Sequence, residues 1–212
     1  MQAEPVRIPA RVSNQVRTTM TAPTIRGYVL TQSVSFIESG YFDPQQQSQI
    51  MKALPAEVLD ALPNIRPQQW YPRDLQVSMH RAVASVRNTE ADTYNDFVAY
   101  GAYVCQEATS TFLRFLLRVL TPSLFAKKIP DVWLRDHHGS GCFEVDLERA
   151  DEGVIHLRLL GAGGFDHIAI PGIGFITHVL KSMGKSDVRM TQKGWSLATP
   201  APNEVSYELI WK

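Results

Sequence analysis

Cys142-Phe-Glu-Val-Asp-Leu-Glu148 and Val154-Ile-His-Leu-Arg-Leu159, separated by the turn Asp151-Glu-Gly153, decide the fold class of this chain. In both stretches apolar and polar residues alternate, which is the period of a β-strand with one buried face. They predict an antiparallel hairpin with one face against the core and the other in water. On the wet face, His156 and Arg158 are expected to lie opposite acidic residues of the first strand.

Before this hairpin the apolar residues recur every three or four positions, which predicts helices. Asp43 is a favourable N-cap because Pro44 follows it at the first helical position. Pro122 ends the longest helix because proline cannot continue the hydrogen-bond ladder. The predicted helices cover 25–38, a short segment from Pro44 to Met51, another from Pro55, then 73–86 and 91–120, with one or two short helices through Trp133.

After the hairpin, the glycine-rich turn Gly161-Ala-Gly-Gly164 leads to a predicted helix over 173–183 and two strands over 187–192 and 206–211. Helices followed by strands predict the α+β class, with an N-terminal helical layer followed by a small antiparallel sheet and one packed helix. We expect a single domain over 25–212, with a helical part at 25–138 and a sheet part at 139–212. Residues 1–24 lack periodicity and are expected to form a flexible N-terminal extension.

The composition is that of an ordinary globular protein and excludes several classes of function. Lysine plus arginine equals aspartate plus glutamate, at 21 each, so no global field draws the chain to nucleic acid. No stretch reaches the roughly 20 apolar residues of a membrane span, and residues 1–23 lack the apolar segment of a secretory signal. We therefore expect no nucleic-acid partner, no transmembrane segment and a cytoplasmic location.

The sequence contains no recognisable catalytic or nucleotide-binding motif. No G-K-[ST] follows the glycine cluster at 161–164, and Asp166 occupies the place of the third glycine of a dinucleotide-binding loop. Asp136-His137-His138 is the densest set of metal ligands, but no second ligand pair supports it, and we interpret it as an exposed link between helices and sheet. Cys105 and Cys142 are expected to be reduced, packed thiols. We expect no catalytic residues, no metal and no enzyme activity.

Several side chains on the predicted helices and connectors could meet between the helical part and the sheet. One interpretation is an ordinary aromatic core. The other is a ligand pocket, because ligand sites are mainly apolar with a few polar groups, and Tyr100 and Cys105 could supply those groups. The predicted pocket residues are Trp70, Phe97, Tyr100, Val104, Cys105 and Trp133.

Two segments resemble parts of the haem-nitric-oxide-binding (H-NOX) superfamily. Arg26-Gly-Tyr-Val-Leu-Thr-Gln-Ser-Val34 is similar to the entry into the first H-NOX helix, and Trp70-Tyr-Pro-Arg-Asp-Leu75 to the opening of its middle helix. The chain also resembles a myxobacterial family of unknown function, through Trp133, Gly139 or Gly141, and Glu144-Val145. Four-vinyl-reductase domains and TRAPP tethering subunits are more distantly similar. The resemblance covers roughly 25–212 and implies a ligand-binding or signalling module with an H-NOX/TRAPP-like fold.

The resemblance does not extend to the haem ligands. H-NOX domains hold iron through a histidine at a Leu-His step, where this chain has Val132-Trp133, and tryptophan is not an axial donor. Their Tyr-x-Ser-x-Arg propionate clamp falls on 159–165, which contains no tyrosine, serine or arginine. Iron would need a shifted ligand, His137 or His138, so we expect no haem cofactor.

Three hypotheses of function follow from the residues and the resemblance. The first is a non-catalytic sensor or ligand-binding module that holds a small apolar molecule or lipid chain without haem. The second is a protein-interaction module with a filled core, which forms a homodimer or binds a protein partner. The third is a haem-binding gas sensor that uses a non-standard histidine. A ligand-sized cavity favours the first, an exposed apolar patch the second, and colour on purification the third.

Overall fold

The structure is a computed structural model that describes residues 22–108, 120–161, 169–193 and 202–212. Within these ranges the helices lie mainly before residue 137 and the strands mainly after it. The helices are α1 Gly27–Glu38, α2 Pro44–Ala53, α3 Ala56–Ala61, α4 Asp74–Ser85, α5 Glu90–Ala108, α6 Pro122–Ala126, α7 Ile129–Asp136 and α8 Pro171–Ser182. The strands are β1 Thr24–Arg26, β2 Trp70–Pro72, β3 His137–His138, β4 Cys142–Asp146, β5 Val154–Leu160, β6 Arg189–Lys193 and β7 Glu204–Ile210.

The predicted hairpin forms two strands of a four-stranded antiparallel sheet with the order β4-β5-β7-β6. Its buried face carries Phe143 opposite Leu159 and Val145 opposite Leu157. On the wet face, Arg158 pairs with Glu144 and, at 3.6 Å, with Glu204 of β7. The cross-strand charge pairing expected from the alternation is therefore present, and the α+β class is confirmed.

Helix α2 begins where the sequence predicts it. The backbone N–H of Gln46 donates to Asp43 Oδ1 at 2.8 Å, and the backbone N–H of Asp43 donates to Gln46 Oε1 at 3.3 Å. This reciprocal capping box satisfies donors that the first helical turn otherwise leaves without partners.

Helix α8 packs closely along α5 at two glycines. A Cβ atom added to Gly101 would collide with the carbonyl of Pro171, and one added to Gly174 would collide with the carbonyl of Val98. The two backbones can approach this closely only because these positions carry no side chain. This contact fixes one end of the space between α5, α8 and the sheet.

A second, three-stranded sheet has the order β2-β1-β3, and the sequence analysis did not predict it. It joins Thr24–Arg26 to Trp70–Pro72 on one side and to His137–His138 on the other. The interpretation of 136–138 as an exposed link is therefore wrong, because Asp136 is buried and the two histidines form β3. The first helix likewise begins at Gly27, since 24–26 are extended.

Some predictions are only partly covered by the described residues. Helix α5 is described to Ala108, so the predicted continuation toward residue 120 lies largely outside them. The same holds for the glycine turn after Gly161 and for residues 1–21 of the expected extension. Neither cysteine is in a disulfide, but Cys142 is exposed, and only Cys105 is packed as expected.

Candidate functional site

A cavity of about 210 Å³ lies between α1, α5, α7, α8 and β4. Helix α5 contributes Tyr100, Val104 and Ala108, which are four residues apart and therefore share one face of the helix. The lining from α7 and from the segment before it is Phe125, Ile129, Val132 and Trp133, and the lining from α8 is Pro171, Gly172, Phe175 and Ile176. The walls are therefore predominantly apolar, as in most small-molecule sites.

Trp133 is held in the cavity wall by contacts on three sides. Its indole Nε1–H donates to the carbonyl of Gly141 at 3.2 Å. The ring stacks on His137 with centroids 3.9 Å apart and meets Phe143 edge-on at 5.2 Å. A large aromatic side chain fixed by a hydrogen bond and two ring contacts makes a rigid wall.

The His137 imidazole also lines the cavity. Its Nδ1 lies 3.3 Å from the carbonyl oxygen of Trp133. Because a carbonyl only accepts, Nδ1 carries the hydrogen and Nε2 keeps its lone pair. Burial lowers the pKa of His137 to about 4, despite the opposing effects of Asp136 and of the Trp133 carbonyl. The side chain is therefore neutral at neutral pH.

A charged cluster forms the rim of the cavity next to His137. Arg135 donates two hydrogen bonds of 2.8 Å to the buried carboxylate of Asp136, and a longer one of 3.4 Å to the Tyr28 hydroxyl. Burial is the larger cause and the hydrogen bond that the Tyr28 hydroxyl donates to Asp136 the next, and together they raise the pKa of Tyr28 well above its ordinary value. The hydrogen bond to Asp136 similarly raises the pKa of Arg135. The rim therefore holds a paired charge and a protonated phenol.

A second polar group lies deeper, where α1, α4 and α5 meet. The Tyr100 hydroxyl is 2.8 Å from Ser33 Oγ and 3.3 Å from the carbonyl oxygen of Val29. Burial raises the pKa of Tyr100 to about 12. Gln76 of α4 lines the cavity beside it and is only 3% exposed. The cavity therefore has apolar walls, a charged rim and a neutral polar end.

The structure brings three of the six predicted pocket residues to the cavity, namely Tyr100, Val104 and Trp133. Phe97 is buried against the His80 ring, at 4.8 Å between centroids, and lines a separate, smaller hollow. Cys105 is buried without lining the cavity. Trp70 is 40% exposed and lies under the guanidinium of Arg26 at 4.1 Å, away from the cavity.

Of the two candidate histidines, His137 lines the cavity, whereas His138 is exposed and contacts the Trp70 ring. Sequence reasoning did not assign the polar lining residues Tyr28, Gln76, Arg135 and Asp136 to the pocket. Polar residues on amphipathic helices are normally assigned to the solvated face. The available signal was the position of Gln76 three residues before Met79, which places it next to Met79 on the predicted buried face.

The cavity can be tested against haem, which the fold resemblance implies. His137 offers a neutral imidazole with a free Nε2, which is a suitable axial donor. The volume of about 210 Å³ is, however, below the roughly 300–1,000 Å³ of sites for drug-sized ligands, and a porphyrin is at the large end of that class. The described residues therefore supply a donor but do not fit the macrocycle.

Metal-ligating side chains are sparse elsewhere. Across residues 22–108, 120–161, 169–193 and 202–212, no three His, Cys, Asp or Glu side chains are grouped so that they could hold a metal ion. In the same part of the chain, no helix has both the length and the apolar content required to cross a membrane.

Sequence comparison found no matching protein-family model and no curated protein with significant similarity. Structure comparison did find similar folds. The unliganded Fe(II) H-NOX protein from K. algicida superposes with a TM-score of 0.65 at 12% identity, covering 89% of this chain and 97% of that one. A single-residue variant of the same protein gives a TM-score of 0.63 at 11% identity with the same coverage. A mutant H-NOX from T. tengcongensis gives 0.54 at 10% identity, covering 87% and 96%. The chain therefore has an H-NOX-like fold.

Proposed function

We propose that this chain is a non-catalytic, cytoplasmic sensor module that holds a small apolar molecule, without haem, in the cavity between α5, α7 and α8. The observation that carries the proposal is the apolar cavity of about 210 Å³ with Trp133 and Tyr100 in its wall. An engineered apolar cavity of about 150 Å³ binds benzene, so the space suits a ligand of one or two small rings. A filled core, which the interaction hypothesis requires, leaves no such space.

The first test is native mass spectrometry of freshly purified protein, compared with its denatured mass. We expect a non-covalent adduct of low mass, or a bare protein that takes up an added aromatic probe such as indole. An adduct of haem mass, with haem absorption in the visible range, would replace this proposal by the gas-sensor hypothesis. A bare mass with no uptake of any apolar probe would leave the interaction module.

The second test fills the cavity. Val104→Phe adds a ring inside the lining, and we expect it to abolish the rise in Tm that an apolar probe gives to the wild type. A ligand that binds only the folded state, and is present at a concentration of 100 times its Kd, stabilises that state by about 2.7 kcal/mol. Val77→Phe is the matched control, because Val77 lies half-buried on α4 outside the cavity lining. Equal loss of the probe effect in both variants would contradict the assigned site.

A further inference from the structure

The neutral polar end of the cavity carries a side-chain acceptor that none of the described residues satisfies. Gln76 Oε1 is buried and has no hydrogen-bond partner among the described residues. The side chain belongs to the cavity lining. Buried side-chain oxygens in folded proteins nearly always have a partner, so such an exception requires an explanation.

The hydrogen bonds around Tyr100 identify the oxygen as the atom left over. Ser33 Oγ–H donates to the carbonyl of Val29 at 3.0 Å, and the Tyr100 hydroxyl is 2.8 Å from Ser33 Oγ and 3.3 Å from the same carbonyl. The Tyr100 hydrogen is used in this network, so its oxygen is available as an acceptor. The interaction with the adjacent Gln76 side chain lowers the pKa of Tyr100 against the larger effect of burial, which is the effect of an approaching N–H₂ donor and not of an acceptor. Oε1 then faces no donor among the described residues.

An unpaired acceptor on a side chain that lines an apolar cavity favours a ligand that can supply its missing hydrogen bond. A wholly apolar ligand would leave Oε1 desolvated and unpaired, which is unfavourable. A ligand with one N–H or O–H group would pair with it, and hydrogen-bonding sites discriminate strongly against analogues that lack the group. A ligand with further polar groups between this end and the charged rim would place them against apolar walls.

We infer that the cavity binds a small, predominantly apolar molecule with a single N–H or O–H donor, which donates to Gln76 Oε1. The inference rests on the proposed function and adds the chemical class of the ligand. The volume of about 210 Å³ exceeds that of the benzene-binding cavity and suits a bicyclic ring of indole size.

Calorimetry with two ligands of the same shape tests this assignment. Indole carries one N–H donor, whereas benzothiophene has the same two-ring shape and no donor. Gln76→Met keeps the length of the side chain and removes the acceptor. We expect it to weaken indole binding about tenfold, the loss of one buried hydrogen bond, and to change benzothiophene binding by less than about twofold. Dividing the Kd of each ligand for the variant by its Kd for the wild type cancels the difference in hydration between the two ligands.

Gln32→Met is the matched control. Gln32 Oε1 is also buried without a partner among the described residues, but the residue is outside the cavity lining. We therefore expect both ligands to bind this variant as they bind the wild type. Should it lose indole affinity as much as Gln76→Met does, the assignment to Gln76 is wrong.

The outcomes separate this inference from the proposed function. If neither ligand binds the wild type, the proposed function itself fails. If both ligands bind and Gln76→Met weakens their binding equally or not at all, the proposed function is supported but the donor requirement is wrong. A buried water that satisfies Oε1 would give this result. A measurement on the wild type alone avoids any folding defect of the variant. Bound ¹⁵N-labelled indole should show a nuclear Overhauser effect between its N–H and the Gln76 methylene protons, and its absence would overturn the inference.

Discussion

The stacked pair of Trp133 and His137 couples the cavity wall to pH. Burial lowers the pKa of His137 from 6.5 to about 4. As pH falls through about 6.5 the unfolded chain binds a proton at this side chain, whereas the folded chain does not until about pH 4. Stability from this group is therefore complete above pH 6.5 and is lost between pH 6.5 and 4. The shift corresponds to at most roughly 3 kcal/mol.

Replacing His137 tests this coupling. We expect His137→Gln to reduce the loss of unfolding free energy between pH 6.5 and 4, because the titrating group is gone. Urea unfolding at several pH values measures this slope. His138→Gln is the control, since His138 is exposed on the same strand. Identical slopes for the wild type and His137→Gln would show that His137 is not held neutral in the folded state.

At the scale of single residues, the spacing of apolar residues predicts which helix faces are buried. It does not predict which polar residues are buried. Tyr100, Val104 and Trp133 could be expected at the cavity because apolar spacing places them on inward helix faces. Asp136 can be buried because Arg135 binds its carboxylate with both arms of the guanidinium and Tyr28 also interacts with it. Such burial depends on local geometry and leaves no periodic signal.

The contact between α5 and α8 is the element-scale feature on which the cavity depends. Gly101 is the point at which α8 meets α5. We expect Gly101→Ala to destabilise the fold by about 1–3 kcal/mol, because the added methyl group overpacks the contact. It should also weaken binding of an apolar probe, since α8 carries one wall of the cavity.

Gly172→Ala provides the comparison within the same helix pair. A Cβ atom at this position would contact only the Phe143 ring, at 4.0 Å. Alanine also has a higher helix propensity than glycine, so we expect unchanged or slightly higher stability. Thermal unfolding of the two variants measures the difference. If both substitutions have the same effect, the close approach at Gly101 does not limit the packing of α8.

The sequence predicted the strands that are long enough to show alternation and missed the strands that are too short to show it. The strands β4 and β5 run for five and seven residues and alternate clearly, because one sheet face is in water. The strands β1, β2 and β3 have only two or three residues, too few to show a period. Their pairing joins segments about 45 and 110 positions apart in sequence, which no local pattern encodes.

At the scale of the whole molecule, the proposal still to be tested is self-association. A few large apolar side chains remain exposed near α6 and α7, with Leu124 at 51% and Leu134 at 49%. Leu120, just before α6, is 39% exposed. Exposed apolar side chains become informative when they are grouped, because a specific interface buries on the order of 1,000 Å² or more around a few anchors.

If these leucines lie in a homodimer interface, charge should disrupt it. We expect the wild type to sediment as a dimer at micromolar concentration, and the double variant Leu124→Lys/Leu134→Lys to sediment as a monomer, because two lysines would be buried without partners at the contact. Leu59→Lys is the control, since Leu59 is 41% exposed but lies on α3. A monomeric wild type, or a dimer that the double variant leaves intact, would exclude this surface. In that case the exposed leucines are isolated apolar residues of the kind that soluble domains tolerate, and the cavity carries the functional argument alone.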